Sequence, residues 1–341
     1  MSVPSRKRRS SGRVTLDDVA LTAGVSRITA SRALRGERSV GAELVARVSV
    51  AAKALGYVPD PAARALASAR GHTVVVLIPL LSNNLFVDLL EAVHRALHSA
   101  GYQILIGVTH YQPEEEEALV ASYLAHRPAG FLVTGFDRTA GCKDLLTQSG
   151  VPCVHLMETS SDPTLYCVGF SQTDAGRAMT DHLLSTGRRH IAFAAAQLDP
   201  RVMQRLEGYR QSVKEAGCQA PALEWLSAEP SSLTLGVQLL ERHLKVHPEV
   251  DAIFFCNDDL AQGGLLAALR LGIPVPQRLA IAGFNDLAGS DQMCPPLTTI
   301  RTPRVEIGER AADMLLQLMQ GKSVEQTSVN VGWELVLRQS A

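Results

Sequence analysis

Arg27, Ile28, Thr29 and Arg32 lie within two turns of one another if the segment is helical. Their side chains then form one surface carrying two guanidinium groups, a branched apolar group and a hydroxyl. Arginine can donate two parallel hydrogen bonds to a guanine edge or meet a phosphate, isoleucine can pack on a thymine methyl, and threonine can reach a base edge or a phosphate. The chemistry implied is recognition of a nucleic-acid groove, with no bond made or broken.

Such a surface has to be held rigidly, and the flanking residues provide for that. Val14 to Ala20, Ala23 to Ser26 and Thr29 to Leu34 read as a helix, a glycine turn and a second helix. Thr15 caps the first helix and Asp18, three residues on, closes a capping box, placing negative charge at the positive helix end. Thr15 also counts among the residues expected to face DNA. Leu16, Val19 and Ala20 share one face. Gly24 supplies the left-handed backbone that a sharp turn needs, and Ser26 caps the helix that enters the major groove. Glu43 to Leu55 makes a third helix, with Leu44, Val48, Ala51 and Leu55 at helical spacing and Gly56 as its stop.

Two amphipathic helices alone would suit any small bundle, and charge separates the readings. Residues 1–70 hold thirteen Lys or Arg against five Asp or Glu, whereas the rest of the chain holds twenty against twenty-nine. A near-neutral total therefore hides a basic head on an acidic body. A basic segment suits phosphate, where displaced counterions make affinity depend on salt. Residues 1–13, with Arg6-Lys7-Arg8-Arg9, read as a solvated disordered tail, 14–59 as the DNA-binding domain, 60–71 as hinge and linker, and 72–341 as the body. No apolar run approaches the roughly 18 to 20 residues that a bilayer span needs, and no apolar stretch follows the basic run as in a secretory signal. A cytoplasmic protein without a membrane partner is expected.

The metal and redox alternatives are weak. The six cysteines form no Cys-x-x-Cys pair and are expected to be buried free thiols. His94 and His98 have helical ligand spacing but no third ligand, and Glu114 to Glu117 reads as a helix start after Pro113. No cofactor is expected: there is neither a Gly-x-Gly-x-x-Gly nor a phosphate-loop lysine after a strand, so an enzyme built on the same lobes is the lesser reading. An exported solute-binding protein would need a signal.

Between head and body, Tyr57 to Ser68 carries a proline-opened, alanine-rich segment, Pro61 to Leu66, too short to be a stable helix alone. It is either a plain linker or a hinge helix that forms when two copies meet over DNA. In the second case Leu66 is the candidate minor-groove wedge.

From His72 the pattern changes. Val74–Ile78, Gln103–Val108, Gly130–Thr134 and Pro152–Leu156 read as buried strands, with helices around 86–99, 114–126 and 141–149. A second set, Ile191–Ala195, Ala252–Cys256 and Leu279–Ala282, alternates with helices near 173–186, 205–216, 233–245 and 259–270. Such alternation predicts an α/β body of two doubly wound lobes with parallel sheets. Ligands of such sheets bind beyond the carboxyl ends of the strands. There stand Ser82-Asn83-Asn84, Glu158, Asn257-Asp258-Asp259 and Asn285-Asp286. Each alone could instead be a helix cap, and Arg205 a solvent arginine at a helix start. Phe86 and Phe170 are candidate apolar walls.

The order Leu-x-Asp-Val-Ala, Ala-Gly-Val-Ser, Thr-x-Ser-Arg, Leu-Gly-Tyr-x-Pro and Ala-x-x-Leu resembles the head of the lac repressor family, and the resemblance runs through the body. It implies a three-helix helix-turn-helix head, a hinge helix and a two-lobed periplasmic-binding-protein-like body. It places Arg27, Ile28, Thr29 and Arg32 on base and phosphate contacts, Tyr57 on a contact at the end of the head, and Ala63 and Leu66 on minor-groove positions. Ala30, where a larger valine is common, and Asp60 with Pro61 depart from the family pattern.

In the body the resemblance makes Arg205 the effector-clamping arginine and Asn257 and Asn285 hydroxyl-binding residues. The family commonly has aspartate at the last position, so Asn285 leaves the cleft less negative and favours an anionic ligand. The stretches Pro79–Phe86, Cys167–Phe170 and Cys256–Ala261 are most similar to gluconate-operon repressors. A sugar acid offers one carboxylate to a guanidinium and a row of hydroxyls to amides that both donate and accept. The implied protein is a homodimeric repressor of an operator, released by gluconate, 2-ketogluconate or a phosphorylated derivative. A tetramer would call for C-terminal leucine heptads, and none follow Trp333–Leu337.

Overall fold

The computed structural model describes residues 14–36, 39–58, 71–81, 84–217 and 223–341. The basic tail and the segment from Pro59 through Pro61, Ala63 and Leu66 to Arg70 lie outside the described residues, as do Ser82 and Asn83. The chain divides into two compact units between residues 70 and 71.

The first unit contains α1 (Leu16–Ala23), α2 (Arg27–Leu34) and α3 (Ala42–Leu55). Thr15 and Asp18 form both arms of the expected capping box, Asp18 N donating to Thr15 Oγ1 at 3.3 Å and Thr15 N to Asp18 Oδ2 at 2.9 Å. Gly24 takes φ +61°, and Ser26 Oγ receives Thr29 N at 3.1 Å. Val19, Ala20, Ala30, Val48 and Ala51 meet in a small apolar core. Leu16, Leu34, Leu55 and Tyr57 pack against it from the edge.

The second unit consists of two lobes, each built on a six-stranded sheet. In lobe 1, β1 (Thr73–Ile78) is flanked by β2 (Gln103–Val108) and β3 (Gly130–Thr134), then come β4 (Cys153–Met157), β5 (Tyr166–Gly169) and β11 (Ser328–Asn330). All these pairings are parallel. In lobe 2, β6 (Ile191–Ala195) is flanked by β7 (Glu224–Leu226) and β8 (Ala252–Phe255), followed by β9 (Ala280–Asn285), β10 (Thr298–Arg301) and the antiparallel β12 (Glu334–Val336). In β1 the alternate residues Val74, Val76 and Ile78 enter one core and Val75 and Leu77 another, because helices cover both faces of that strand, as parallel sheets require.

Helices α4 (Leu85–Ser99), α5 (Pro113–Leu124) and α6 (Ala140–Ser149) follow the first three strands of lobe 1. Lobe 2 has α7 (Gln172–Ser185), α8 (Pro200–Glu215), α9 (Leu233–Val246) and α10 (Asp258–Arg270). Close approach of α7 and α8 depends on two glycines. A β-carbon on Gly176 would collide with the backbone of Arg205, and one on Gly208 with the backbone of Thr173.

Three departures from the sequence reading bear on the site. First, α8 starts at Pro200, capped by Asp199, whose carboxylate receives Arg201 N at 3.0 Å. Arg205 therefore sits in the second turn rather than at the helix start. Second, β9 runs on to Asn285 because β10, a strand the alternating pattern did not reveal, pairs with it through Arg301. Third, α11 (Arg304–Met319) packs on α4 and on β3 to β5 of lobe 1 although it follows the strands of lobe 2. The chain thus crosses between lobes near 170, 302 and 332.

Candidate functional site

In the head, α2 turns Ala30 and Ala33 inward, which leaves Arg27, Ile28 and Arg32 on the open side. Ile28 is 65% exposed, an apolar branch that the head itself does not use. Full burial of Ala30 shows that the small residue fits this core. Thr29 is only half-exposed, its hydroxyl 2.8 Å from Ser26 Oγ, so it serves the cap as well as the surface. Thr15 is exposed and bonded to Asp18. Tyr57 follows the left-handed Gly56, its N–H bonded to Ala52 O at 2.9 Å, and packs against the head core.

In the body, the carboxyl ends of the strands share an unusual backbone. Positive φ occurs at non-glycine residues His110 and Tyr111 beyond β2, Met157 ending β4, Gln197 and Leu198 beyond β6, and Asn285 and Asp286 at β9. Such conformations are strained and are found where surrounding structure over-determines a site.

Arg205 is buried at the centre of this region. Its Nε donates to Gln172 Oε1 at 2.8 Å, and Nη1 donates to Cys256 O at 2.7 Å and Asn257 Oδ1 at 3.1 Å. The guanidinium lies 3.7 Å from the centroid of the Phe284 ring. Burial lowers its pKa from the ordinary arginine value, yet arginine remains charged in proteins. Among the described residues no carboxylate lies within 4.0 Å of it, so every acceptor it has is neutral.

Asn257 caps α10 by position but makes no side-chain cap bond. Its carbonyl accepts from Arg205 and from Asn285 Nδ2 at 3.0 Å, and its own amide donates to Ser231 Oγ at 3.2 Å. The capping alternative is therefore not what its side chain does. Asn285 is buried, and its Oδ1 has no hydrogen-bond partner among the described residues. An unsatisfied buried acceptor is costly unless something arrives to donate to it.

A second arginine, which the sequence reading passed over, spans the lobes. Arg201 Nη1 lies 3.2 Å from Asp137 and 3.4 Å from Glu158 of lobe 1, and Nη2 is 3.2 Å from Asp199. Burial would lower its pKa, but Asp199, Asp137 and Glu158 outweigh that and raise it. Glu158 also accepts from Gln204 Nε2 at 2.7 Å. Three carboxylates thus surround Arg201, while Arg205, one helical turn away, has none. The Asp199-Pro200 pair was the available signal, since it starts the helix early enough to align both arginines on one face.

The remaining candidates divide. Phe170 is buried and faces Phe284 at 6.4 Å, so it stands behind the ring that carries Arg205. Phe86 is buried in the core with Leu85 and Leu89. Asn84 is exposed at the start of α4 without a side-chain cap bond. Asp258 and Asp259 are held by Thr299 and Ser231, and Asp286 by Arg301 and Arg338. Among the described residues no group of three His, Cys, Asp or Glu could hold a metal. His94 and His98 stack on each other on the exposed side of α4. Of the five described cysteines Cys294 is exposed, contrary to the expectation of burial, and Cys218 lies outside the described residues.

Residues 15–60 match the family of bacterial regulatory proteins described as the lacI family, and residues 180–341 match a periplasmic binding protein-like domain. A transcriptional regulator of Pseudomonas aeruginosa, GntR, is 52% identical over 335 residues, covering 98% of each chain. This chain belongs to the lacI family. The crystal structure of the regulator GntR of Chromobacterium violaceum is similar at 48% identity and TM-score 0.77, over 79% of this chain and 98% of that one. The lac repressor dimer bound to operator and an anti-inducer is similar at 26% identity and TM-score 0.84, over 96% of this chain and 99% of that one. This lacI-family chain is accordingly a DNA-binding transcriptional regulator, with a helix-turn-helix head and a two-lobed α/β body. Among the described residues no helix is long and apolar enough to cross a membrane.

Proposed function

We propose that this regulator is a homodimeric, non-enzymatic repressor whose operator affinity falls when a sugar acid, gluconate foremost, occupies the cleft between the lobes. The observation that carries the reading is Arg205, a buried guanidinium with only neutral acceptors among the described residues. A single carboxylate completes its charge, and charge-assisted pairing of that kind is among the stronger polar contacts. The Asn257–Asn285 pair, with its unpartnered Asn285 carbonyl, suits the hydroxyls that follow the carboxylate. Glu158 reaches the cleft but is engaged by Arg201 and Gln204, so its part is to tie the lobes.

The same geometry argues against a phosphorylated effector. The second cation, Arg201, already faces three carboxylates, and a dianion beside it would meet repulsion. On the DNA side, Arg27, Ile28, Thr29 and Arg32 read the major groove, with Thr15 and Tyr57 near the backbone and Ala63 and Leu66 in the minor groove. Two such heads on a cytoplasmic dimer would read a pseudo-palindromic operator. Linkage requires operator DNA and effector to weaken one another equally.

The test is calorimetric titration of the full chain with gluconate, alone and bound to DNA from its own promoter. Gluconate binding that weakens on the operator supports the reading. Equal affinity in both cases removes the allosteric claim, and binding of glucose as tight as gluconate removes the role of Arg205.

A further inference from the structure

The effector cleft is not the only place where buried polar groups line open space. On the other side of lobe 1, between α6 and the loop that precedes β5, lies a cavity of about 780 Å³. It exists for a topological reason. On this face α5 and α6 cover β1 and β3, and α6 reaches Cys153 at the start of β4, but after β5 the chain leaves for lobe 2 and adds no further described helix here.

The floor of the cavity is a network rather than an apolar plug. Arg138 donates to Glu116 Oε1 and to Gly135 O, and its Nη1 lies against His155 Nδ1, each at 2.9 Å; it is buried together with both side-chain partners. Phe136 stacks on His155 at 4.6 Å. Burying ionic groups is expensive, and filling this space with apolar residues would give comparable stability. Burial and the neighbouring Arg138 hold the His155 imidazole neutral, with a pKa of about 4. Nδ1 lies 2.9 Å from Arg138 Nη1 and 3.0 Å from Gly135 O, so whichever tautomer the ring holds, Nε2 is left as a polar edge, a donor in one and an acceptor in the other. At most three of the five guanidinium N–H groups of Arg138 are used by these contacts, which leaves further donors. Lys143 adds an ammonium at the exposed rim.

Charge and shape narrow the occupant. Glu116 balances Arg138, so Lys143 is the cation left over, while Asp162 on the opposite rim discourages a second negative charge. Phe136, Leu146 and Tyr166 offer flat or branched apolar walls. The volume is within the range of small-molecule pockets.

We infer that this cavity is a second ligand site, distinct from the effector cleft, for a small aromatic monocarboxylate. Its floor segment, Gly135 to Arg138, also carries Asp137, which pairs with Arg201 of lobe 2. One segment therefore has the cavity on one side and the inter-lobe ion pair on the other. Occupancy of the cavity acts on the lobe junction through that segment.

The experiment uses the full chain and benzoate as the probe. Calorimetry should show saturable binding with one site per chain. Thr147→Trp, which fills the rim from an exposed position, and Lys143→Glu should each weaken it at least tenfold. Arg205→Ala should leave it unchanged. Hydrogen exchange should show benzoate protecting both the 135–138 segment and the first turn of α8, the latter effect vanishing in Asp137→Asn. Absence of saturable binding, indifference to both rim variants, or loss of benzoate binding in an Arg205→Ala chain that still binds operator DNA like the parent would overturn the site. Protection confined to 135–138 would overturn its coupling to the lobe junction.

Discussion

The guanidinium of Arg205 lies 3.7 Å above the Phe284 ring, and Phe284 is itself backed by Phe170 at 6.4 Å. A cation over an aromatic face is attracted by the ring quadrupole, more so when water is excluded. The stack and the three neutral acceptors hold the positive charge in place without neutralising it. A carboxylate ligand of the kind proposed would meet a pre-positioned charge without displacing an internal acid.

Arg205→Lys should therefore fail although it keeps the charge. Lysine is a point charge that cannot bond Gln172, Cys256 and Asn257 in one plane. Gluconate affinity should fall by about tenfold to a hundredfold, the equivalent of one charge-assisted hydrogen bond or two. Operator affinity without effector should stay within error of the parent. Calorimetry and fluorescence anisotropy read the two separately, and loss of both would mean that Arg205 supports the fold instead.

Asn285→Asp tests the charge argument from the other side. The new carboxylate would be one residue from Arg205 through the Asn257 amide, close enough to neutralise it in a buried setting. Sugar-acid affinity should drop at least tenfold, while a neutral sugar of the same length should lose far less. A parallel loss for both ligands would point to damage at β9 rather than to charge.

Much of this was legible from residue order, and what was not has identifiable causes. Helix caps and buried strands are local, so Thr15, Gly24, Ser26 and the runs of β1, β3 and β6 announced themselves. The polar groups after the strands could be placed near a cleft by topology alone. Asp199-Pro200 signals where Arg201 sits on its helix but not what it meets, because Asp137 and Glu158 are 64 and 43 residues away and join it only when the lobes meet. The same holds for α11, whose apolar stripe of Ile307, Ala311 and Leu315 is plain in sequence. Its position on lobe 1 is set by a chain crossing that no local pattern encodes. Glu116 was read as part of a helix start, and it is; its burial against Arg138 was invisible until α5 and the end of β3 came together.

The head offers a separable pair of outcomes. Ile28→Ala removes a methyl contact and should reduce specific operator binding by about 1 to 3 kcal/mol without altering binding to random DNA. Arg27→Gln should weaken both by a similar factor. It should also lower the slope of log affinity against log salt by about 1 if the side chain meets a phosphate. Anisotropy across a salt series distinguishes them. An unchanged slope together with altered base preference would move Arg27 from phosphate to base reading.

Asp258, next to Asn257, provides a test in pH. Its carboxylate accepts from Thr299 Oγ1 at 2.6 Å, Leu287 N at 2.7 Å and Ser290 Oγ at 2.9 Å. Burial dominates these bonds and pushes the pKa up to about 6 from an ordinary 3.8. Between those values the native state keeps a proton that the unfolded chain has already released. The stability contributed by this group is complete below the ordinary value and is lost as pH rises through about 6. A shift of that size corresponds to at most about 3 kcal/mol. Asp258→Asn has no such titration, so the Tm of the parent minus that of the variant should shrink steadily from acid to neutral pH. Taking the difference cancels the opposite trend from the surface carboxylates. A constant difference across the range would show that Asp258 stays ionised, held by its three donors against the cost of burial.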